Sequence, residues 1–214
     1  MCGIIGFCAD EVNEHHIDLL LRLIYQSKIR GLHSFGIAYY NGNNIKTEKH
    51  FTLEPNILDS FKKSGSNMLI YHNRYDTSGD WHDMSNNQPL TFGNISIAMN
   101  GVLSMKPKNE YEKEFNVNCI TENDTEVFVR KMLNNEDILD FLKNTEECTF
   151  ASVILKNNKV YALRNNKRPL HWFKYNGAVY VVSTADIVKR VLKGADIYDI
   201  PKFEWFDLHE KLQN

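Results

Sequence analysis

The sequence has little of what would make its fold depend on anything besides a hydrophobic core. Its four cysteines, Cys2, Cys8, Cys119 and Cys148, include no C-x-x-C pair, and the step from Cys2 to Cys8 matches no zinc-ligand spacing. Neither a disulfide framework nor a structural zinc site is expected. No apolar run approaches the roughly 20 residues of a membrane span. The opening Met-Cys-Gly-Ile-Ile-Gly-Phe-Cys lacks the basic lead of a secretory signal. An excess of one charge is missing too: 25 Lys+Arg against 27 Asp+Glu leave −2, which excludes a strongly basic nucleic-acid binder. There is no P-loop, no dinucleotide fingerprint, no repeat of fixed period and no Pro/Gly/Ser-rich linker. His15, His16, His50, His82, His171 and His209 show no metal spacing with acidic partners. These absences imply a cytoplasmic protein with reduced thiols, no metal, no cofactor, no membrane contact and no nucleic-acid partner.

What remains is 214 residues, 43% hydrophobic and 12% aromatic, enough to bury a core in a single domain over 1–214. Short apolar, β-prone runs dominate: 2–8, 34–40, 67–73, 95–100, 150–155, 159–164 and 178–183, with a last strand expected over 203–208. Asn41-Gly42, Asn157-Asn158 and Asn176-Gly177 are turn signals. Helices are expected from an Asn13 cap to about Lys28, with Ile17, Leu20, Leu21 and Ile24 on one face, over Pro55–Lys63, over Asp124–Leu133, and over Thr184–Leu192 ahead of Gly194. Many hairpins and few helices argue for an α+β fold with antiparallel sheets.

The second residue carries the chemistry. Initiator methionine is normally removed before a small residue such as cysteine, which would leave Cys2 with a free α-amine beside its thiol. An α-amine titrates near 7.7–8.0, against about 10.4 for lysine. It is partly neutral at physiological pH and can act as general base for its own thiol. Gly3 is expected to leave room for a substrate close to the backbone.

Several segments, in order, resemble the class II glutamine amidotransferases, the N-terminal-nucleophile glutaminases. They are Met1-Cys2-Gly3-Ile4-Ile5-Gly6, Arg30-Gly31-Leu32-His33-Ser34-Phe35-Gly36-Ile37 and His72-Asn73-Arg74-Tyr75-Asp76-Thr77-Ser78-Gly79. Asn87-Gln88-Pro89, Asn100-Gly101, Asn123-Asp124-Thr125-Glu126-Val127 and Arg164-Asn165-Asn166-Lys167-Arg168-Pro169-Leu170 follow, and Ser183 stands at the last element. The resemblance implies a four-layer α/β/β/α sandwich of two antiparallel sheets, the N-terminal-nucleophile hydrolase fold. It also implies hydrolysis of the glutamine side-chain amide through a γ-glutamyl thioester on Cys2, with release of ammonia.

Roles then carry over by position. Asn100, through its side-chain amide, and Gly101, through its backbone N–H, match the oxyanion hole; read alone, Asn-Gly is a plain hairpin turn. Arg74 matches the group that binds the α-carboxylate of glutamine, flanked by Tyr75 and Thr77; its ordinary alternative is a surface ion pair. Asp124 matches the group that holds the α-ammonium and is also a candidate helix N-cap. Arg30 is expected to order the loop around the nucleophile, or equally to complement the helix C-terminus. The chain departs from the family pattern at His33, where an aspartate is usual, and at Met99, Asn165 or Asn166, and Thr184. At this length no room is expected for an acceptor domain. Three readings follow: a glutaminase passing ammonia to a synthase subunit in trans, a hydrolase of a larger γ-glutamyl amide, or a non-catalytic binding relative if Met1 is retained.

Overall fold

The computed structural model describes residues 1–76 and 79–213. In chain order the elements are β1 (Gly3–Ala9), α1 (Glu14–Ser27), β2 (Ser34–Asn41), β3 (Asn44–His50), α2 (Asp59–Ser64), β4 (Met68–Arg74), β5 (Leu90–Phe92) and β6 (Ile95–Val102). There follow α3 (Lys108–Phe115), α4 (Glu126–Leu133), α5 (Ile138–Asn144), β7 (Thr149–Lys156), β8 (Lys159–Arg164), β9 (His171–Tyr175), β10 (Ala178–Val182), α6 (Ala185–Val191), β11 (Tyr198–Asp199), β12 (Phe206–Asp207) and α7 (Leu208–Gln213). The strands form a seven-stranded sheet in the order β11-β9-β10-β1-β4-β2-β3 and a five-stranded sheet in the order β12-β8-β7-β6-β5. Every strand pair is antiparallel.

Alternation along the strands sorts the core into layers. Ile5, Phe7, Ile37, Tyr39, Leu69 and Tyr71 meet Ile17, Leu20 and Ile24 of α1, Phe61 of α2 and Val188 of α6 on the outer side of the large sheet. Ile4, Cys8, Ala38, Ile70, Val179 and Val181 meet Ala98, Ala151, Val153, Val160 and Ala162 between the sheets. Ile97, Met99, Phe150 and Leu163 meet Tyr111 of α3, Val127 and Phe128 of α4 and Leu142 of α5 on the outer side of the small sheet. The result is the α/β/β/α sandwich that the resemblance implies.

Asn13 caps α1, accepting from the His16 N–H at 3.1 Å. The tight hairpins turn on left-handed residues: Asn157 and Asn158 at φ 53° and 55°, Asn176 and Gly177 at 52° and 74°. At the first hairpin Asn41 still pairs with Asn44, so the corner is Gly42-Asn43, one residue later than expected. Three helical or strand expectations shrink. Residues 55–58 form turns, and α2 begins only at Asp59; α4 begins at Glu126, with Asp124 and Thr125 in the turn before it. The strand expected over 203–208 is reduced to Phe206–Asp207, because Phe203 lies at φ 56° and Leu208 opens α7.

His72 in β4 lies fully buried between the sheets, and its Nε2–H donates to the Met99 carbonyl at 3.2 Å. Burial, reinforced by the charges of Arg74 and Lys49, pushes this imidazole down to about 3, against the Met99 bond that favours its charged form. Between the ordinary value near 6.5 and about 3, the unfolded chain binds a proton that the folded chain refuses. Stability therefore falls as pH drops through this window, with a slope approaching about 1.4 kcal/mol per pH unit. Urea unfolding at pH 6.5 and pH 5 should differ by about 2 kcal/mol from this group, and His72→Gln should flatten that difference. Equal slopes in both proteins would refute the assignment.

Candidate active site

One end of the gap between the sheets collects the polar residues. In β1 the side chains of Ile4 and Cys8 face the second sheet, and Cys2 continues that row beyond the strand. In β4 the same row runs Met68, Ile70, His72, Arg74; in β6 it runs Ala98, Asn100; in β10 it runs Val179, Val181 and on to Ser183. Register brings these ends together. Gly3 pairs with Asn73 and Ile5 with Val182, and the Ile4 N–H donates to Ser183 Oγ at 2.7 Å. The His72–Met99 bond joins the end of β4 to the end of β6.

Cys2 is buried, and Tyr75 brackets its thiol: the Tyr75 N–H donates to Sγ and Sγ donates to the Tyr75 carbonyl, each at 3.4 Å. Burial pushes the thiol up, while the Tyr75 bond, the N-terminal amine, Arg74 and Arg30 pull the other way. Arg30 lies in a 3-10 turn, Lys28–Arg30, that continues α1, and its Nε–H donates to the Cys2 carbonyl at 2.8 Å. A Cβ at position 3 would stand 2.1 Å from Asn73 Oδ1. The space that Gly3 leaves is thus filled by Asn73, not kept for a substrate. Met1, which precedes the thiol, is 60% exposed.

Asn100 is buried, and its Nδ2 amide has no hydrogen-bond partner among the described residues. An orphaned buried donor is costly and calls for an explanation. Its neighbour Gly101 is required by close approach: a Cβ there would lie 1.9 Å from the Thr149 carbonyl oxygen of β7. The Met99 N–H points away from β7, to Gln88 Oε1 at 2.6 Å, and the Val102 N–H points towards β7, to Thr149 Oγ1 at 2.9 Å. Strand alternation turns the Gly101 N–H to the side of Met99, away from β7.

Asp124 Oδ2 accepts the N–H groups of Leu103 and Ser104 at 2.6 and 3.1 Å, which ties its loop across the end of β6. Glu126 shapes the same loop. Fully buried, it accepts from the Ile120 and Thr121 N–H groups, the Thr121 hydroxyl and the Arg130 guanidinium, all within 2.9 Å. Glu126→Ala orphans these donors and should cost about 3–5 kcal/mol, read as a lower urea midpoint. Glutamine at that position should recover part of the loss.

Arg74 is buried, and each terminal N–H of its guanidinium has an internal acceptor. Nη1 donates to the Asn86 carbonyl and Asn87 Oδ1 at 2.7 and 2.6 Å; Nη2 donates to Asp76 Oδ1 and the Gly79 carbonyl at 2.7 and 2.8 Å. Asn123 Nδ2 shares the Asn86 carbonyl, so Arg74 also braces the 121–125 loop. His33 sits between the rings of Tyr75 and Trp81, with centroids at 5.5 and 5.0 Å, and its Nδ1 accepts the Asp76 N–H at 3.0 Å. The structure thus brings Cys2, Arg30, Arg74, Tyr75, Asn100, Gly101 and Asp124 to one end of the sandwich. Thr77, expected to join them, lies outside the described residues. Asp76 and Asn86 went unforeseen. For Asp76 the signal is parity: two residues beyond Arg74 in extended chain, it returns to the same side. Among the described residues no group of three or more His, Cys, Asp or Glu side chains is placed to hold a metal.

A nucleophile candidate at the start of the central strand of a two-sheet α/β/β/α sandwich defines an N-terminal-nucleophile hydrolase architecture. Comparison with known proteins narrows the class. The chain is 26% identical over 225 residues to an amidophosphoribosyltransferase from Methanothermobacter thermautotrophicus, covering 97% of this chain and 47% of that protein. It is 28% identical over 232 residues to an amidophosphoribosyltransferase from Methanocaldococcus jannaschii, covering 98% and 47%. To a glutamine–fructose-6-phosphate aminotransferase (isomerizing) from Staphylococcus aureus it is 30% identical over 170 residues, covering 76% and 26%. No protein-family model matches the chain. Among solved structures, the glutamine phosphoribosylpyrophosphate amidotransferase from B. subtilis superposes with a TM-score of 0.70 at 20% identity, over 94% of this chain and 46% of that one. A glutamine aminotransferase class-II domain protein from Silicibacter pomeroyi does so with a TM-score of 0.54 at 12% identity, over 94% and 92%. The chain belongs with the class II glutamine amidotransferase domains, and it spans about half the length of the amidophosphoribosyltransferases it matches.

Proposed function

We propose that the chain, once Met1 is removed, hydrolyses the side-chain amide of glutamine. The observation that carries this reading is the orphaned Asn100 amide, a desolvated donor on the inter-sheet row that faces the row of Cys2. The Cys2 α-amine takes the thiol proton, and the thiolate attacks the carboxamide carbon. Asn100 Nδ2 and the Gly101 N–H hold the oxyanion, and ammonia leaves as the γ-glutamyl thioester forms. Water then attacks the thioester and releases glutamate. Arg74 receives the α-carboxylate, in a subsite to which Tyr75 and, by its match to the family pattern, Thr77 contribute, and Asp124 receives the α-ammonium. Arg30 fixes the Cys2 carbonyl and hence the orientation of the residue. The ammonia passes to an acceptor protein in trans. Ile29, Leu32 and Tyr75, apolar and exposed beside the Arg74 end of β4, supply a lip for such a partner.

The test is intact mass before and after incubation with diazo-oxo-norleucine, together with ammonia release from glutamine. Loss of the methionine mass, a single adduct on Cys2 and ammonia release support a competent glutaminase. A processed protein that forms no adduct and releases no ammonia sinks the reading.

A further inference from the structure

Arg74 is the one residue proposed to meet the substrate carboxylate, yet a carboxylate already sits on it. Among the described residues its four terminal N–H groups meet four acceptors. Three of these are neutral: two backbone carbonyls and the Asn87 amide oxygen. The fourth is charged. Asp76 Oδ1 lies 2.7 Å from Nη2, and this ion pair is almost closed to solvent on the arginine side and 30% exposed on the aspartate side. A second carboxylate arriving at the same guanidinium would face the first across it, with one positive charge to satisfy two negative ones.

Asp76 is not a wandering surface acid. Its N–H is held by His33 Nδ1 at 3.0 Å, and the His33 ring is fixed between Tyr75 and Trp81. The His33 N–H in turn donates to the Arg74 carbonyl at 3.1 Å. His33 thus links both ends of the pair: it grips the backbone of Arg74 and the backbone of Asp76. Of these four described acceptors, Asp76 is the one whose side chain can rotate into solvent without breaking a backbone position.

We propose that Asp76 is a specificity-determining residue that occupies Arg74 in place of a substrate carboxylate, so that glutamine binds by displacing it. This rests on the glutaminase reading of the same site. Two consequences follow. Removing the Asp76 carboxylate strengthens glutamine binding. It also sharpens the preference for a free α-carboxylate, because a substrate whose α-carboxylate is amidated never competes with Asp76 and gains nothing from its removal.

The experiment is equilibrium binding to the Cys2→Ala protein, which cannot turn substrate over, with and without Asp76→Ala. The ligands are L-glutamine and L-glutamine α-amide. Glutamine should bind roughly 10-fold tighter after Asp76→Ala, the scale of one charge-assisted hydrogen bond released, while the α-amide changes less than 2-fold. Asp76→Asn, which keeps a hydrogen-bond acceptor but not the charge, should lie between. In the Cys2-intact protein the same substitution should lower KM. Weaker or unchanged glutamine binding after Asp76→Ala would overturn the proposal and make Asp76 a positioning group for Arg74. Glutamine binding to neither protein would overturn it too, and would also remove the glutamine reading of the pocket. Asp76→Ala takes this carboxylate away from the buried Arg74 charge and should melt below the parent, with Asp76→Asn lying between; both are assayed well below their melting transitions, where unchanged affinity in the folded variant leaves the proposal no escape.

Discussion

Cys2→Ala should abolish ammonia release from glutamine, by about 10³-fold or more, and leave the melting transition in place. The size follows from what is lost: both bonds of the proposed pathway, the thiolate attack and the thioester, run through one sulfur. The fold should survive because the hydrogen bonds of Sγ among the described residues are two long ones, both to the Tyr75 backbone at 3.4 Å, and alanine fills most of the volume. Cys2→Ser is the sharper control. It keeps the α-amine and a hydroxyl of similar shape but presents a nucleophile far harder to deprotonate, so activity should fall almost as far. Ammonia release by the alanine variant at the wild-type rate would show that another group does the chemistry. The assay must be made on protein whose N-terminal residue is Cys2. While Met1 is attached, the nitrogen of Cys2 is an amide and holds no lone pair for the thiol proton.

Asn100→Ala should lower kcat by about 10²–10³-fold with a much smaller change in KM. The amide is proposed to bond the oxygen only when it becomes an oxyanion, so its loss falls on the transition state rather than on ground-state binding. Stability should move the other way. Asn100 Nδ2 is an orphan in the folded protein, and deleting an unsatisfied buried amide relieves a desolvation cost of about 1–3 kcal/mol, against which stands the small cavity left behind. A variant that loses activity while its unfolding midpoint holds or rises would carry the signature of a donor kept for reaction rather than for folding. A large fall in stability would instead make Asn100 a structural residue, and the oxyanion would then need another donor.

Much of the candidate site is legible in the sequence. The nucleophile and the Asn-Gly pair are short, local and chemically singular, and parity along β-strands carries them to one side without further information. The helix cap at Asn13 and the left-handed turns at Asn157-Asn158 and Asn176-Gly177 are equally local. What stayed hidden is what tertiary contact decides. α3 is KNEYEKEF, with only Tyr111 and Phe115 apolar, a single pair too short to set up a periodic stripe. β5 is three residues long and exists because β6 pairs with it. The strand expected over 203–208 fails because Phe203 takes a left-handed backbone that no sequence rule assigns to phenylalanine. In the site, sequence pointed to Arg74 but not to the carboxylate already on it: parity puts Asp76 on the same side, but His33, which grips the Asp76 backbone, is brought there by the β2–β4 register and not by proximity along the chain.

That register has a consequence for handling the protein. Cys2 faces the second sheet because it is in step with Ile4 and Cys8, two places before the first of them. A single residue inserted or deleted between Cys2 and Ile4 would leave β1 seated by its apolar rows and rotate the thiol onto the α1 side of the sheet. The proposed nucleophile is thus located by counting from the start of β1. Any affinity handle belongs at the other terminus, where α7 already ends at the surface; one left at the front would turn the amine of Cys2 into an amide.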